Sequence, residues 1–108
     1  MMGPMLGCQF QAVQLASASQ GFAPMENALN AGFDVPIRIS WDQPNSGQDD
    51  GHFVLAMAVR QGATGKELQI HDPWTGQTAW VSEQAIANNS FAPIFNQYAR
   101  MSNVYVPS

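Results

Sequence analysis

Charged residues are scarce in this 108-residue chain. Lys and Arg together number four and Asp and Glu eight, so the net charge is −4 and the charged share is 11%. A surface that binds nucleic acid needs a stripe of basic side chains to neutralise several phosphates. Four scattered cations do not form such a stripe. The composition therefore predicts neither a nucleic-acid partner nor attachment to an anionic membrane surface.

Long hydrophobic runs are also missing, as is positive charge near the start. The longest apolar run, Phe53 to Val59, has seven residues, whereas a helix needs about 20 to cross a bilayer. A secretory signal has a basic start, but the first positively charged side chain is Arg38. We therefore expect a soluble protein with no signal peptide in these residues and no membrane partner.

Cysteine occurs once, as Cys8, so no internal disulfide can form. The thiol is therefore either a small buried hydrophobe or a chemically active group. Hydrophobic residues make up 45% of the chain, which suits one domain with a single core. We expect residues 1–108 to form that one domain, in a minimal or N-terminally truncated form.

Helix signals come first along the chain and strand signals follow. A helix is predicted over Cys8 to about Ser19, and a second over Pro24 to Ala31, with Gly32 just past its end. Alternating apolar residues predict a strand around Ile37 to Trp41. The nearly continuous apolar segment His52 to Val59 predicts a strand buried on both faces.

A glycine-rich loop, Gln61 to Gly65, predicts a hairpin between this strand and a strand around Leu68 to Ile70. The later predicted elements are a strand over Thr78 to Val81, a helix over Glu83 to Asn88 capped by Ser82, and a strand over Val104 to Val106. The order predicts an α+β fold, with N-terminal helices packed on an antiparallel β-sheet.

The predicted hairpin also brings a histidine close to an acid. If the turn is symmetric about Ala63, Val54 pairs with Asp72. His52 is then a diagonal neighbour of Asp72, at roughly 7–8 Å between Cα atoms. His71 has the opposite parity and points to the other face, unless a one-residue bulge changes the register. A histidine oriented by an acid is the base half of a nucleophile–base–orienter triad.

The segments around these two residues resemble a known family. Residues 51–59 (GHFVLAMAV) and 68–76 (LQIHDPWTG) resemble the histidine strand and the Asp-Pro turn of papain-like cysteine peptidases. The resemblance is closest to bacteriocin-leader-processing peptidases and bacterial effector proteases. Residues 29–37 (LNAGFDVPI) resemble the helix, glycine turn and strand that precede the histidine in that family. The likeness is strongest from Pro24 to Ile86.

The resemblance implies a cysteine-dependent hydrolase of peptide or amide bonds that needs no cofactor. Its triad would be Cys8 as nucleophile, His52 as general base and Asp72 as the residue that orients the base. The family's cysteine lies at a helix start, where the helix dipole and the histidine lower its pKa. The glutamine that precedes the cysteine in the family is missing here, so the candidate oxyanion donors are the backbone N–H of Cys8 and the side chain of Gln9 or Gln11. Trp74 is the candidate groove wall.

Structural interpretations stand beside these functional ones. Cys8 is also explained as an inert buried thiol, and His52 as a core histidine. Asp72 is also explained as a turn residue before proline, which is compatible with its orienting role. The alternative function is a catalytically inactive papain-like domain that binds a peptide or protein in the same groove. No metal site is predicted, because His71 and Asp72 are adjacent on a strand and diverge. The resemblance does not decide whether the protein is cytoplasmic or exported. The oligomeric state is not predicted.

Overall fold

The computed structural model describes residues 10–107, which form a β-sheet with helices packed on it. Within this range the sheet has six strands in the order β1-β6-β2-β3-β4-β5, and every neighbouring pair is antiparallel. The strands are β1 (Phe10–Gln14), β2 (Val35–Ser40), β3 (Gly51–Gly62), β4 (Gly65–His71), β5 (Thr78–Ser82) and β6 (Arg100–Pro107). The helices are α1 (Phe22–Asn30) and α2 (Glu83–Ala87). The predicted α+β class with an antiparallel sheet is confirmed.

The first described segment is a strand, so the helix predicted up to about Ser19 is wrong over the described residues. β1 pairs with the edge of β6, where Val13 lies opposite Val104, and only a short 3-10 helix (Ala18–Gly21) follows. The many glutamines leave this segment a thin apolar face for a helix, whereas pairing satisfies the backbone groups along the edge of β6. The helices do not all precede the sheet either, because α2 lies between β5 and β6.

The second predicted helix is confirmed as α1. At its end the N–H of Gly32 donates to the carbonyl of Leu29 at 3.1 Å, and the N–H of Phe33 donates to the carbonyl of Ala28 at 3.0 Å. Gly32 has a φ of +94°, a conformation that glycine adopts without a steric penalty. Met25 on the same helix is fully buried against the sheet. The chain therefore turns sharply from α1 into β2.

One face of the sheet is covered by the helices and the other is partly open. The core combines Met25 of α1 and Ile86 of α2 with fully or almost fully buried strand side chains, which are Val35, Ile37, Ile39, Val54, Ala56, Leu68, Ile70, Val81, Met101 and Val104. On the opposite face of β3, Phe53 is 49% exposed. The prediction that this strand is buried on both faces is therefore wrong, because within residues 10–107 the helices cover one side only.

The β3–β4 hairpin reaches the predicted register at its far end by an unpredicted route. Its turn is Ala63-Thr64, so the centre lies half a residue beyond the predicted one. A bulge at Met57 then adds one residue to β3. Beyond the bulge, Leu55 pairs with His71, which is the predicted alignment. Without the bulge, the side chains at the far end of β3 would point to the opposite face.

A carboxyl pair joins the two helices. Lys66 of β4 donates to Glu26 of α1 at 2.5 Å, and Oε2 of Glu83 on α2 is buried with no hydrogen-bond partner among the described residues. Burial, together with contact with Glu26, raises the pKa of Glu83 to about 7. Contact with Glu83 and with the nearby Lys66 outweighs burial and lowers the pKa of Glu26. The pair therefore retains one proton in mildly acidic solution.

Replacing Glu83→Gln is expected to stabilise the protein at about pH 8 by about 1 kcal/mol, a value reduced for solvent screening. The pKa of Glu83 is raised from 4.5 to about 7 in the folded state, so the folded state binds more protons between these values. Wild-type stability therefore falls as pH rises through that window. Urea unfolding at about pH 5 and about pH 8 measures how steeply the free energy of unfolding changes with pH, which is the slope compared below. Glu67→Gln, which removes a carboxylate paired with Arg60, is the control, and an unchanged slope in Glu83→Gln would contradict the prediction.

Candidate functional site

The His52 and Asp72 side chains meet at the end of the β3–β4 hairpin. Nε2 of His52 lies 2.8 Å from Oδ1 of Asp72. The Asp72 side chain is 1% exposed and the His52 side chain 12%. Because Asp72 occupies Nε2, Nδ1 is the ring nitrogen left for other partners. The predicted contact between these two side chains is confirmed.

The Asp72 carboxylate is held by the loop that follows β4. Its Oδ1 also accepts from the N–H of Trp74 at 3.0 Å, and its Oδ2 accepts from the hydroxyl of Thr75 at 3.0 Å. The Asp72 N–H donates to the carbonyl of Gln77 at 2.8 Å, and the N–H of Gly76 donates to the Asp72 carbonyl at 2.8 Å. The loop thus closes on itself and fixes the carboxylate in one position.

These contacts set the ionisation of Asp72. Burial by itself would raise the pKa of this carboxyl group, but the hydrogen bonds from His52, Trp74 and Thr75 and the charge of His52 outweigh it. The pKa of Asp72 is therefore below its ordinary value of 3.8. A carboxylate that is ionised at neutral pH can stabilise a positive charge on the imidazole that it contacts.

Three aromatic rings surround the His52 imidazole. The ring centroid of Trp74 lies 4.8 Å away, that of Phe95 5.7 Å and that of Trp41 6.1 Å. Both indoles are stacked on the imidazole, and Phe95 meets it edge to face. These contacts, together with Asp72, fix the orientation of the imidazole plane.

A surface cavity of about 420 Å³ opens beside the imidazole. Its lining residues are Gly51, His52, Phe53, Pro73 and Trp74. Trp74, the predicted groove wall, is 80% exposed and gives the cavity a broad aromatic side. A small molecule in this cavity would contact the base and the exposed indole together.

His71 lies on the other face of the hairpin, as predicted. Its Nδ1 lies 2.8 Å from the hydroxyl oxygen of Thr78 on the neighbouring strand β5. His71 therefore takes no part in the His52–Asp72 pair. The residues that the structure describes contain no cluster of three His, Cys, Asp or Glu side chains that could hold a metal ion.

Two predicted site residues, Cys8 and Gln9, lie outside the described residues, so their roles stay predictions. Sequence reasoning missed the contacts of Trp41 and Phe95 with the imidazole. It also missed Thr75 as a donor to Asp72. A hydroxyl three residues after an Asp-Pro step is a recognisable turn signal, whereas Phe95 lies in a loop whose course only the tertiary structure shows.

Comparison with known proteins gives one curated relative. No model of a known protein family matches the chain, and no solved structure matches it. The chain is 32% identical over 93 residues to a methionyl-tRNA formyltransferase of Bordetella pertussis strain Tohama I. The match covers 83% of this chain and 30% of the relative, so the chain spans less than a third of that protein's length.

This similarity contradicts the predicted function. The relative is a formyltransferase, so the prediction of a cysteine-dependent peptide hydrolase is wrong, and so is the alternative of a catalytically inactive module that binds peptides or proteins. The error has a physical origin. The strand and turn motifs determine how His52 and Asp72 meet, but a histidine held by an acid serves many reactions that move a proton.

The helices of the structure bear on the membrane prediction. Within residues 10–107, no helix combines the length and the apolar character that crossing a bilayer requires. The protein's substrate, its partners and the compartment in which it works stay predictions.

Proposed function

We propose that this domain catalyses the transfer of a small acyl group, with formyl as the first candidate, and that His52 is the general base. The observation that carries the proposal is the 2.8 Å contact between Nε2 of His52 and the buried Asp72. This contact leaves Nδ1 of the imidazole available to a substrate, and the imidazole ring lines an open cavity. The similarity to a formyltransferase supports the choice of acyl group.

The proposed reaction uses His52 twice. An acceptor amine attacks the carbonyl carbon of the acyl donor, and Nδ1 of His52 takes the proton that the amine nitrogen loses. Asp72 stabilises the resulting imidazolium. The bond between the carbonyl carbon and the leaving group then breaks, and His52 returns the proton to the leaving group. The acyl group and the proton are both conserved, and the chemistry needs no redox step.

The acceptor that we propose is a small molecule bearing an amine rather than a whole tRNA. The chain carries a net charge of −4, and three of its four Lys and Arg side chains are paired with carboxylates. This leaves little positive charge to bind a polyanion. The exposed indole of Trp74 offers a stacking surface for a planar donor or leaving group.

Beyond the α+β class, we propose that the scaffold has a papain-like arrangement. It is supported by the order of α1, the Gly32 turn and β2, followed by a strand that carries His52 and an Asp-Pro turn that carries Asp72. This proposal concerns the position of the base within the fold and does not include peptide hydrolysis.

An acyl-transfer assay with Cys8→Ala tests the proposed function. The protein is mixed with p-nitrophenyl formate and methioninamide, and N-formyl product is measured by mass spectrometry against a protein-free control. We expect the wild type to accelerate product formation. Cys8→Ala is expected to retain the rate within about threefold, because the imidazole removes the proton directly from the acceptor.

The product separates the proposed reaction from others. If formate is released without N-formyl product, the domain is not a transferase. If Cys8→Ala abolishes transfer and the wild type accumulates a formyl thioester, the acceptor is not the direct nucleophile. Either outcome contradicts the mechanism proposed here.

A further inference from the structure

Arg100, at the start of β6, differs from the other Lys and Arg side chains. Arg38, Arg60 and Lys66 each contact a carboxylate within 3.0 Å. The guanidinium of Arg100 makes one weak contact within residues 10–107, in which Nε donates to the carbonyl of Asp42 at 3.5 Å. Arg100 is also partly buried. A partly buried cation with most of its donors unused has the capacity to bind an anion.

The Arg100 side chain lines a polar cavity of about 300 Å³ together with Arg38. The cavity lies between residues 41–50 and the ends of β1 and β6. Its neutral polar lining consists of Gln14, Gln43, Asn45, Gln48, Ser102 and Asn103. These side chains provide hydrogen-bond donors without adding negative charge.

The side chains that line this cavity carry more positive than negative charge. Nη1 of Arg38 donates to Asp49 Oδ1 at 3.0 Å and to the hydroxyl of Ser102 at 3.2 Å, and its Nη2 donates to the Asp49 carbonyl at 2.9 Å. The hydrogen bond from Arg38 leads the contacts that lower the pKa of Asp49, and Arg100 contributes to the same effect. Among the residues that line the cavity, two guanidinium groups stand against one carboxylate, so the lining carries one net positive charge.

We propose that this cavity binds one oxyanion, a carboxylate or a phosphate group, through the guanidinium of Arg100. The planar fork of N–H donors on a guanidinium matches two oxygens of either group. Arg38 is held by Asp49 and Ser102, so it supplies fixed positive potential beside the ligand. The site is independent of the proposed acyl transfer. It lies at the same end of the sheet as His52, because β2 pairs with the start of β3 on one side and with the start of β6 on the other.

Titration with inorganic phosphate and, separately, with acetate tests the site by NMR. The readout is the Nε–H signal of Arg100 and the backbone amide signals of Ser102 and Asn103. We expect saturable shifts at these groups. Arg100→Gln is expected to weaken binding about tenfold or more, since it removes charge-assisted hydrogen bonds. Tight binding of phosphate alone identifies a phosphate ligand, and equal or tighter binding of acetate identifies a carboxylate.

Arg60→Gln is the matched control, because it makes the same change in net charge at a residue that contacts Glu67 and Trp80 instead. It is expected to leave binding unchanged. Arg100→Lys keeps the charge without the planar fork and is expected to bind several-fold more weakly than the wild type. Equal losses in Arg100→Gln and Arg60→Gln would show nonspecific attraction, and shifts that do not saturate would show that no site exists. Either result would overturn the proposal.

Discussion

Replacing His52→Gln is expected to lower the rate of acyl transfer by about 10²- to 10⁴-fold. Glutamine can still hydrogen-bond to the Asp72 carboxylate, which lies 2.8 Å from the ring in the wild type, but its amide cannot accept and return a proton near neutral pH. The wild-type His52 side chain is nearly buried, with 12% exposed. The melting temperature of the variant must therefore be measured together with its rate. If the variant melts at the wild-type temperature but no longer transfers the acyl group, the loss is due to the missing base and not to unfolding.

His71→Gln is the control for this experiment. It makes the same change in the other histidine of the chain, which contacts Thr78 on the opposite face of the hairpin. It is expected to keep the wild-type rate. Equal losses in both variants, or full activity in His52→Gln, would contradict the role of His52 as the base.

Replacing Asp72→Asn is expected to reduce transfer by up to about 10⁴-fold. An asparagine amide that points its N–H toward Nε2 forces the opposite imidazole tautomer, in which Nδ1 carries the proton and cannot accept one. The amide also removes the negative charge that stabilises the imidazolium. The hydroxyl of Thr75 donates to Oδ2 at 3.0 Å and can still donate to the remaining oxygen. The amide nitrogen takes the place of Oδ1, so the N–H of Trp74 loses its acceptor. We expect the loop to keep its shape, because the Thr75 contact and the backbone hydrogen bonds of Asp72 with Gln77 and Gly76 remain.

The same variant changes the response of the protein to acid. The pKa of Asp72 is lowered from its ordinary value of 3.8 by the folded state. Its contribution to stability is therefore fully present above that value and is lost as pH falls through the folded pKa. Wild-type melting temperatures should fall over this range more steeply than those of Asp72→Asn.

Asp42→Asn is the matched control, because the Asp42 carboxylate also fixes a loop, by accepting from the N–H of Asp50 at 2.7 Å. This variant should keep the wild-type rate of transfer. If Asp72→Asn retained transfer as well, Asp72 would be a turn residue only.

The elements that could be predicted from the sequence are those that local chemistry determines. Gly32 ends α1 because a positive φ is required just past the helix. Ser82 caps α2, where its hydroxyl accepts from the N–H of Ala85 at 3.0 Å. The contact between His52 and Asp72 was predicted from the alternation of side chains along paired strands, although the register that allows it depends on the bulge at Met57.

Other features depended on parts of the chain that are distant in sequence. The segment from Phe10 to Gln14 became a strand because the edge of β6 was there to pair with it. The bulge at Met57 compensated for the shift of the hairpin turn, and no sequence signal near Met57 required a bulge there. The Arg100 cavity likewise exists only because β1, β6 and residues 41–50 converge.

The sequence by itself determined the class of the fold and placed His52 and Asp72 at the paired end of one hairpin, because turn chemistry, capping and strand alternation act over a few neighbouring residues. Whether the two side chains share a face depended on the bulge at Met57. It did not determine the reaction, and the assignment to peptide hydrolysis was wrong, because a histidine oriented by an acid is common to many proton transfers. Only the tertiary structure decided what surrounds His52, where Trp41, Trp74 and Phe95 come from three separate loops and segments. Such packing depends on how distant segments bury their apolar surface together, and no local pattern encodes it.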